Sequence, residues 1–223
     1  MAMDPNEVEE VTSVSDALVM NMGTLNEKAL EAMIIAGKVA NQLNIPIVLD
    51  PTGIGISIFR KQGISRILEN VKIDIIKGNA SEVKTLLGES TWFKGVDSLD
   101  VDNIESLSET VLQVSRKLKV VAVCTGETDI VACNKDVILI KGGHPMLKNI
   151  TGIGCMIGSL MGSYLGVNRN KIEAAELAVE SMNIAGERAY AKMAQEKRGG
   201  GSYKVFLIDE INKLAGAPDF KKY

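Results

Sequence analysis

Short runs of branched aliphatic residues alternate along this chain with longer stretches in which apolar positions recur every three or four residues. The runs Leu18-Val19-Met20, Ile47-Val48-Leu49, Ile73-Asp74-Ile75-Ile76 and Val120-Val121-Ala122-Val123 predict strands. Helical patterns lie between them. The clearest covers Leu25 to Leu43, where Leu25, Ala29, Ala32, Met33, Ala36, Val39, Ala40 and Leu43 make one apolar stripe. Pro46 then blocks continuation. Strand, helix, strand in short succession implies an α/β fold with a parallel sheet flanked by helices.

Between Asp129 and Lys141 the rhythm breaks. The runs Asp129–Ala132 and Val137–Ile140 flank Asn134-Lys135-Asp136, the pattern of a hairpin. Two helices are expected next, about Ile153–Leu165 and Lys171–Glu196, then a turn at Gly199-Gly200-Gly201 and a last strand from Tyr203 to Ile208. At the other end, Asp4-Pro5 is a good cap and first-turn pair, so the first element is expected to be a helix. With no internal repeat and no linker in view, one domain is expected over residues 1–223.

Composition narrows the function. Hydrophobic residues make up 46% of the 223, enough for a sizeable core, which excludes a disordered chain or a small disulfide scaffold. A formal charge of -3 without a long basic run argues against a nucleic-acid backbone binder, and 4% aromatic residues leave no stacking platform for single strands. Cys124, Cys133 and Cys155 have no metal-like spacing, which points to reduced thiols in the cytoplasm. The acidic start lacks a signal-like apolar region. The uncharged stretch Asn149–Asn168 is too rich in glycine and polar residues for a membrane span. Neither nucleic acid nor membrane is expected as a partner.

The candidate chemistry lies where strands end. Thr151-Gly152-Ile153-Gly154-Cys155 opens an apolar helix. Without side chains at 152 and 154, successive N–H groups can converge on one anion at the positive helix end, and a phosphoryl group in transfer is the natural guest. The same residues also suit a plain tight turn into a helix whose Gly154, Gly158, Gly162 and Gly166 allow close packing. Cys155, in the first turn, stands where a thiolate is favoured and could orient or deprotonate an attacking hydroxyl, or it is simply a small buried residue. Asp50, in Asp50-Pro51-Thr52-Gly53-Ile54-Gly55, either holds Mg²⁺ through water or starts a turn. In Lys77-Gly78-Asn79-Ala80-Ser81-Glu82, Lys77 is a point charge for a phosphate. Asn79 and Glu82 either share a Mg²⁺ site or form a capping box. Thr125-Gly126-Glu127 is a fair nucleotide-side loop. His144 is the lone histidine and stays outside the mechanism. Taken together, the strand ends offer two carboxylates, a cation and an anion hole, the set that Mg²⁺-ATP phosphoryl transfer needs.

These residues carry a resemblance. Over nearly its whole length the chain resembles the hydroxyethylthiazole kinase family of the ribokinase-like superfamily. The matching segments are Ala17–Leu25, Glu31–Lys38, Val48-Leu49-Asp50-Pro51, Lys77–Glu82, Gly143–Leu147 and, most tellingly, Thr151–Cys155. Most ribokinase-like kinases carry Asp at the last of these positions; the thiazole kinases characteristically carry Cys. The resemblance implies a three-layer α/β/α fold with a mostly parallel central sheet. It implies phosphorylation of the primary alcohol of 4-methyl-5-(2-hydroxyethyl)thiazole by ATP, in thiamine biosynthesis or salvage.

Carried over by position, the resemblance sets Cys155 at the attacking hydroxyl and Gly152 beside the thiazole. The amides from Gly152 through Gly154 to Cys155 face the transferring phosphoryl. Lys77, Asn79 and Thr125 fall on the ATP side, Asp50 and Glu82 act through Mg²⁺, and Met1 lies against the thiazole. A homotrimer with sites between subunits is implied. Family members carry a further N-terminal strand, Asn-rich turn and helix ahead of the part matched here. Lys77 stands where many relatives have Arg, and Gly199-Gly200-Gly201-Ser202 replaces a usual Gly-Pro-Gly-Ser. Two other readings stand beside the main one: a kinase for another vitamin-precursor alcohol such as hydroxymethylpyrimidine, and a nucleotide- or thiazole-binding protein without turnover.

Overall fold

A computed structural model describes residues 3–88 and 103–215. Six strands form one sheet in sequential order: β1 (Leu18–Asn21), β2 (Ile47–Asp50), β3 (Ile75–Asn79), β4 (Val121–Thr125), β5 (Thr128–Cys133) and β6 (Asp136–Lys141). The first four run parallel, and β5 and β6 return antiparallel. The helices are α1 (Val8–Ser13), α2 (Glu27–Leu43), α3 (Ile58–Asn70), α4 (Ala80–Leu86), α5 (Ile104–Leu118), α6 (Ile153–Val167), α7 (Lys171–Gln195) and α8 (Gly200–Ala215).

The central strands are buried on both faces, which is why their sequences read as unbroken apolar runs rather than alternations. In β2, Ile47 and Leu49 point into one hydrophobic cluster and Val48 into the other. The first cluster lies under α2, α3, α4 and α5, which carry the chain from one parallel strand to the next. The second lies under α6, α7 and α8. The result is the three-layer α/β/α arrangement, with the sheet as its middle layer. Small side chains bring α7 onto the sheet: Ala174, Ala175, Ala178, Ala185 and Ala189 are all fully buried. Helix α6 approaches more closely still. A Cβ built on Gly162 would stand 2.3 Å from Cγ2 of Val19 in β1.

Most predicted elements appear within a few residues of their expected bounds, including the opening helix and the hairpin. The hairpin turns on Asn134, whose φ of 57° is one that Asn tolerates well. Two expectations are corrected. The third strand begins at Ile75 and not Ile73, because the Asp74 carboxylate accepts from the Ile47 amide and pairs with Lys171 just before the ladder starts. The segment Tyr203–Ile208 is not a strand but the middle of α8, and Gly200 and Gly201 begin that helix rather than forming a turn. Val205-Phe206-Leu207-Ile208 has strand-like composition, yet the buried set Tyr203, Leu207, Glu210 and Leu214 follows the helical repeat. Tyr203 anchors it: its hydroxyl donates to the Gly186 carbonyl at 3.2 Å, and burial pushes its pKa up to about 12.

Among the described residues no helix is long and apolar enough to cross a membrane. The Gly162 contact leaves α6 no room for a branched side chain, so Gly162→Val is expected to lower the unfolding free energy by about 1–3 kcal/mol. Urea unfolding of the two proteins measures the difference.

Candidate active site

The four parallel strands end on polar residues: Asn21, Asp50, Asn79 and Thr125. Asn21 and Asp50 are direct partners across β1 and β2, as are Asn79 and Thr125 across β3 and β4. In an open parallel sheet this edge is where ligands bind. The first turn of α6 lies over it.

At the floor sits a buried ion pair. Lys77 Nζ donates to Asp50 Oδ2 at 2.9 Å, and the residues are 4% and 1% exposed. The other Asp50 oxygen accepts from the Thr52 hydroxyl at 2.6 Å. Helix α6 covers the pair with glycines. A Cβ on Gly154 would lie 3.4 Å from Lys77 Nζ, and one on Gly158 would lie 3.7 Å from Asp50 Oδ2. The helix start is bare: Gly152 is its N-cap at φ 98°, with no side-chain cap and no acidic residue in the first turn. A Cβ on Gly152 would meet nothing within 4 Å, so the left-handed backbone and not crowding demands glycine there. The first hydrogen bond of the helix is Met156 N–H to the Gly152 carbonyl, which leaves the amides of Ile153, Gly154 and Cys155 without an intrahelical acceptor. The Lys77 ammonium, the helix dipole and the three amides without an intrahelical acceptor together form an arrangement that can receive an anion.

Cys155 is exposed at this mouth, and its sulfur accepts from Asn21 Nδ2 at 3.2 Å. Asn21 is itself oriented by the Gly23 amide, which donates to Asn21 Oδ1 at 2.8 Å. Neither Asn21 nor Thr52 is singled out by the sequence reading. The signal that finds Asn21 is register, which sets it beside Asp50 where β1 and β2 stop; Thr52, two residues further on, is found through its hydrogen bond to Asp50.

Asn79 and Glu82 form a true capping box at the start of α4. Glu82 does more than cap, because its second oxygen accepts from the Gly53 amide at 2.8 Å and so ties the loop after β2 to the end of β3. Burial pushes the Glu82 carboxyl up, against the two amides that hold it and Lys77, which pull it down. Thr125 ends β4 half-buried, its hydroxyl 3.5 Å from the Gly78 carbonyl. The following loop is held by Asp129, which accepts from the Gly126 amide at 2.9 Å and from Asn183 Nδ2 at 3.0 Å. Burial raises the Asp129 carboxyl as well. The edge therefore gathers Asp50, Lys77, Asn79, Glu82, Thr125, Gly152, Gly154 and Cys155, while Met1 lies outside the described residues. His144 stacks on Tyr190 at 3.4 Å and accepts from the Met146 amide, a structural role away from this mouth.

The three-layer arrangement around this mostly parallel sheet is a ribokinase-like fold. The fold is shared with the ADP complex of Bacillus subtilis pyridoxal kinase, at a TM-score of 0.57 and 16% identity over 83% of this chain and 71% of that one. The hydroxyethylthiazole kinase family matches residues 1–216, and this chain belongs to it. It is 42% identical over 214 residues to hydroxyethylthiazole kinase of Alkaliphilus oremlandii, covering 96% of this chain and 78% of that protein. A second relative, hydroxyethylthiazole kinase of Ruminiclostridium cellulolyticum, is 40% identical over 215 residues, again 96% of this chain and 78% of the other. The solved structure of hydroxyethylthiazole kinase from Pyrococcus horikoshii OT3 superposes with a TM-score of 0.84 at 31% identity, covering 96% of this chain and 77% of that one. The chain is thus a phosphotransferase that uses a nucleotide such as ATP to phosphorylate the thiazole alcohol of thiamine biosynthesis.

Asp129 yields a pH prediction. Its folded pKa lies above the ordinary 3.8, so the folded state holds the proton more tightly and the resulting stability is lost as pH rises through the folded value. The stability difference between wild type and Asp129→Asn is expected to shift against wild type as pH climbs from below 3.8 toward neutrality. Urea unfolding of both proteins across that range checks the sign.

Proposed function

We propose that the α6 N-terminus receives the phosphoryl group in flight and that Cys155 faces the attacking hydroxyl of hydroxyethylthiazole. The observation that carries this is the bare first turn of α6, its amides open at the mouth where Cys155 and Asn21 meet. Donors fixed in advance stabilise the charge that develops on the phosphoryl oxygens without reorganising. Cys155 orients the alcohol and takes its proton, while Asn21 holds the sulfur in place.

Gly152, whose Cβ position is open, lies beside the thiazole ring; Met1 is assigned to the same ring by its position in the sequence alone. Lys77 adds a positive field under Gly154, whose Cβ position lies 3.4 Å from the ammonium. Asn79 and Thr125, paired at the ends of β3 and β4, take the nucleotide side. The donor set suits Mg²⁺. The Asp50 carboxylate is close enough to Glu82 to help raise the Glu82 carboxyl, and each oxygen of the two has a lone pair beyond the bond it already accepts. Mg²⁺ keeps several waters and takes few protein ligands, so both carboxylates would hold it through water. When bound, it neutralises charge on the nucleotide phosphates. We assign the enzyme to the cytoplasm, as a single ribokinase-like domain assembling into a homotrimer with sites between subunits. Hydroxymethylpyrimidine, the alternative alcohol, is disfavoured by Cys155 in place of Asp.

Cys155→Ala and Asp50→Asn are each expected to lower thiazole-dependent ADP release at least about ten-fold. A coupled ADP assay with ATP, Mg²⁺ and hydroxyethylthiazole measures it. Full activity in both variants defeats the role assignments.

A further inference from the structure

Arg60 stands in the first turn of α3, three residues after the Ser57 cap, whose hydroxyl accepts the Arg60 amide. A cation there opposes the helix dipole, so its position needs another reason. The guanidinium supplies one. It donates from Nη1 to the Met22 carbonyl and to the Thr52 carbonyl at 2.8 Å, and from Nη2 to the Gly23 carbonyl at 2.8 Å. Met22 and Gly23 follow β1, and Thr52 follows β2. A single planar fork therefore grips two loops at once, a task a lysine's point charge cannot do with the same geometry.

What those loops carry gives the grip its meaning. Gly23, whose carbonyl Arg60 holds, orients Asn21 through its amide, and Asn21 reaches the Cys155 sulfur. Thr52, whose carbonyl Arg60 also holds, donates through its hydroxyl to Asp50. The next amide along, Gly53, is held from the opposite side by Glu82. We propose that Arg60 is a positioning residue for phosphoryl transfer: by bridging the loops after β1 and β2 it sets Asn21 against Cys155 and Thr52 against Asp50. It touches none of the reacting groups itself. This inference rests on the roles proposed above for Cys155 and Asp50.

The test uses the full chain with Arg60→Met, which keeps the apolar stem, and Arg60→Lys, which keeps the charge. Hydrogen exchange resolved by segment reads the bridge directly, with the β2 and β4 core amides as the control for global stability. Exchange in residues 21–25 and 51–56 is expected to quicken several-fold in both variants while the core amides stay unchanged. Thiazole-dependent kcat is expected to fall about ten- to a hundred-fold, with KM for ATP moving far less. Unchanged exchange in either loop overturns the bridge. Loosened loops with wild-type kcat overturn the positioning role, and full retention in Arg60→Lys overturns the requirement for a fork. If wild type itself shows no thiazole-dependent turnover, the functional reading fails, and exchange still decides whether Arg60 bridges the loops. Should Arg60→Met not fold, Arg60→Lys carries the same readouts.

Discussion

Taking an ammonium and a carboxylate out of water is expensive, and the Lys77–Asp50 pair is the place where this fold does so. Neither charge can be left alone at such depth, so Asp50 and Lys77 must each follow the paired residues Leu49 and Ile76, and Thr52 must cover the remaining Asp50 oxygen. The pair also dictates what lies above it. Small residues let the helix start close over two buried charges: a Cβ on Gly154 or Gly158 would already be in van der Waals contact with the pair. The bare start of α6 and the buried pair are thus two halves of one arrangement, a cation and a set of amides beneath the mouth where Cys155 is exposed.

Several sequence features carry two meanings at once. Asn79 and Glu82 are a capping box, and Glu82 also reaches across to Gly53, so a local helix signal doubles as a brace between strand ends. The glycines of α6 serve packing at Gly162, where the helix presses on Val19, and leave the space in front of the helix start open at Gly152. Readings that compete in the sequence turn out to be compatible in space: the cap of α4 is also a brace, and the glycines that bring α6 close also leave its first turn bare.

What was legible in the sequence follows from physics that acts locally. Doubly buried strands give unbroken aliphatic runs, so β2 and β4 stand out, and Gly152-Ile153-Gly154 marks a helix start because few other uses explain it. Long-range contacts left little trace. Arg60 is one cation among many until two loops converge on it, and Asn21 matters only once the register sets it beside Asp50. The C-terminal run Tyr203–Ile208 misled through composition: branched and aromatic residues favour strands, but burial of Tyr203 and Leu207 in the cluster formed with α7 decides for a helix.

The most direct measurement is a double-mutant cycle on stability and turnover with Asp50→Asn, Lys77→Met and the two combined. Each single change strands a buried charge or polar group and is expected to cost about 3–5 kcal/mol. The double variant is expected to recover much of that stability, since no unpaired charge remains, and yet to stay without thiazole-dependent turnover. Additive losses of stability, or turnover restored along with stability, would contradict the view that one buried pair both supports the fold and completes the site.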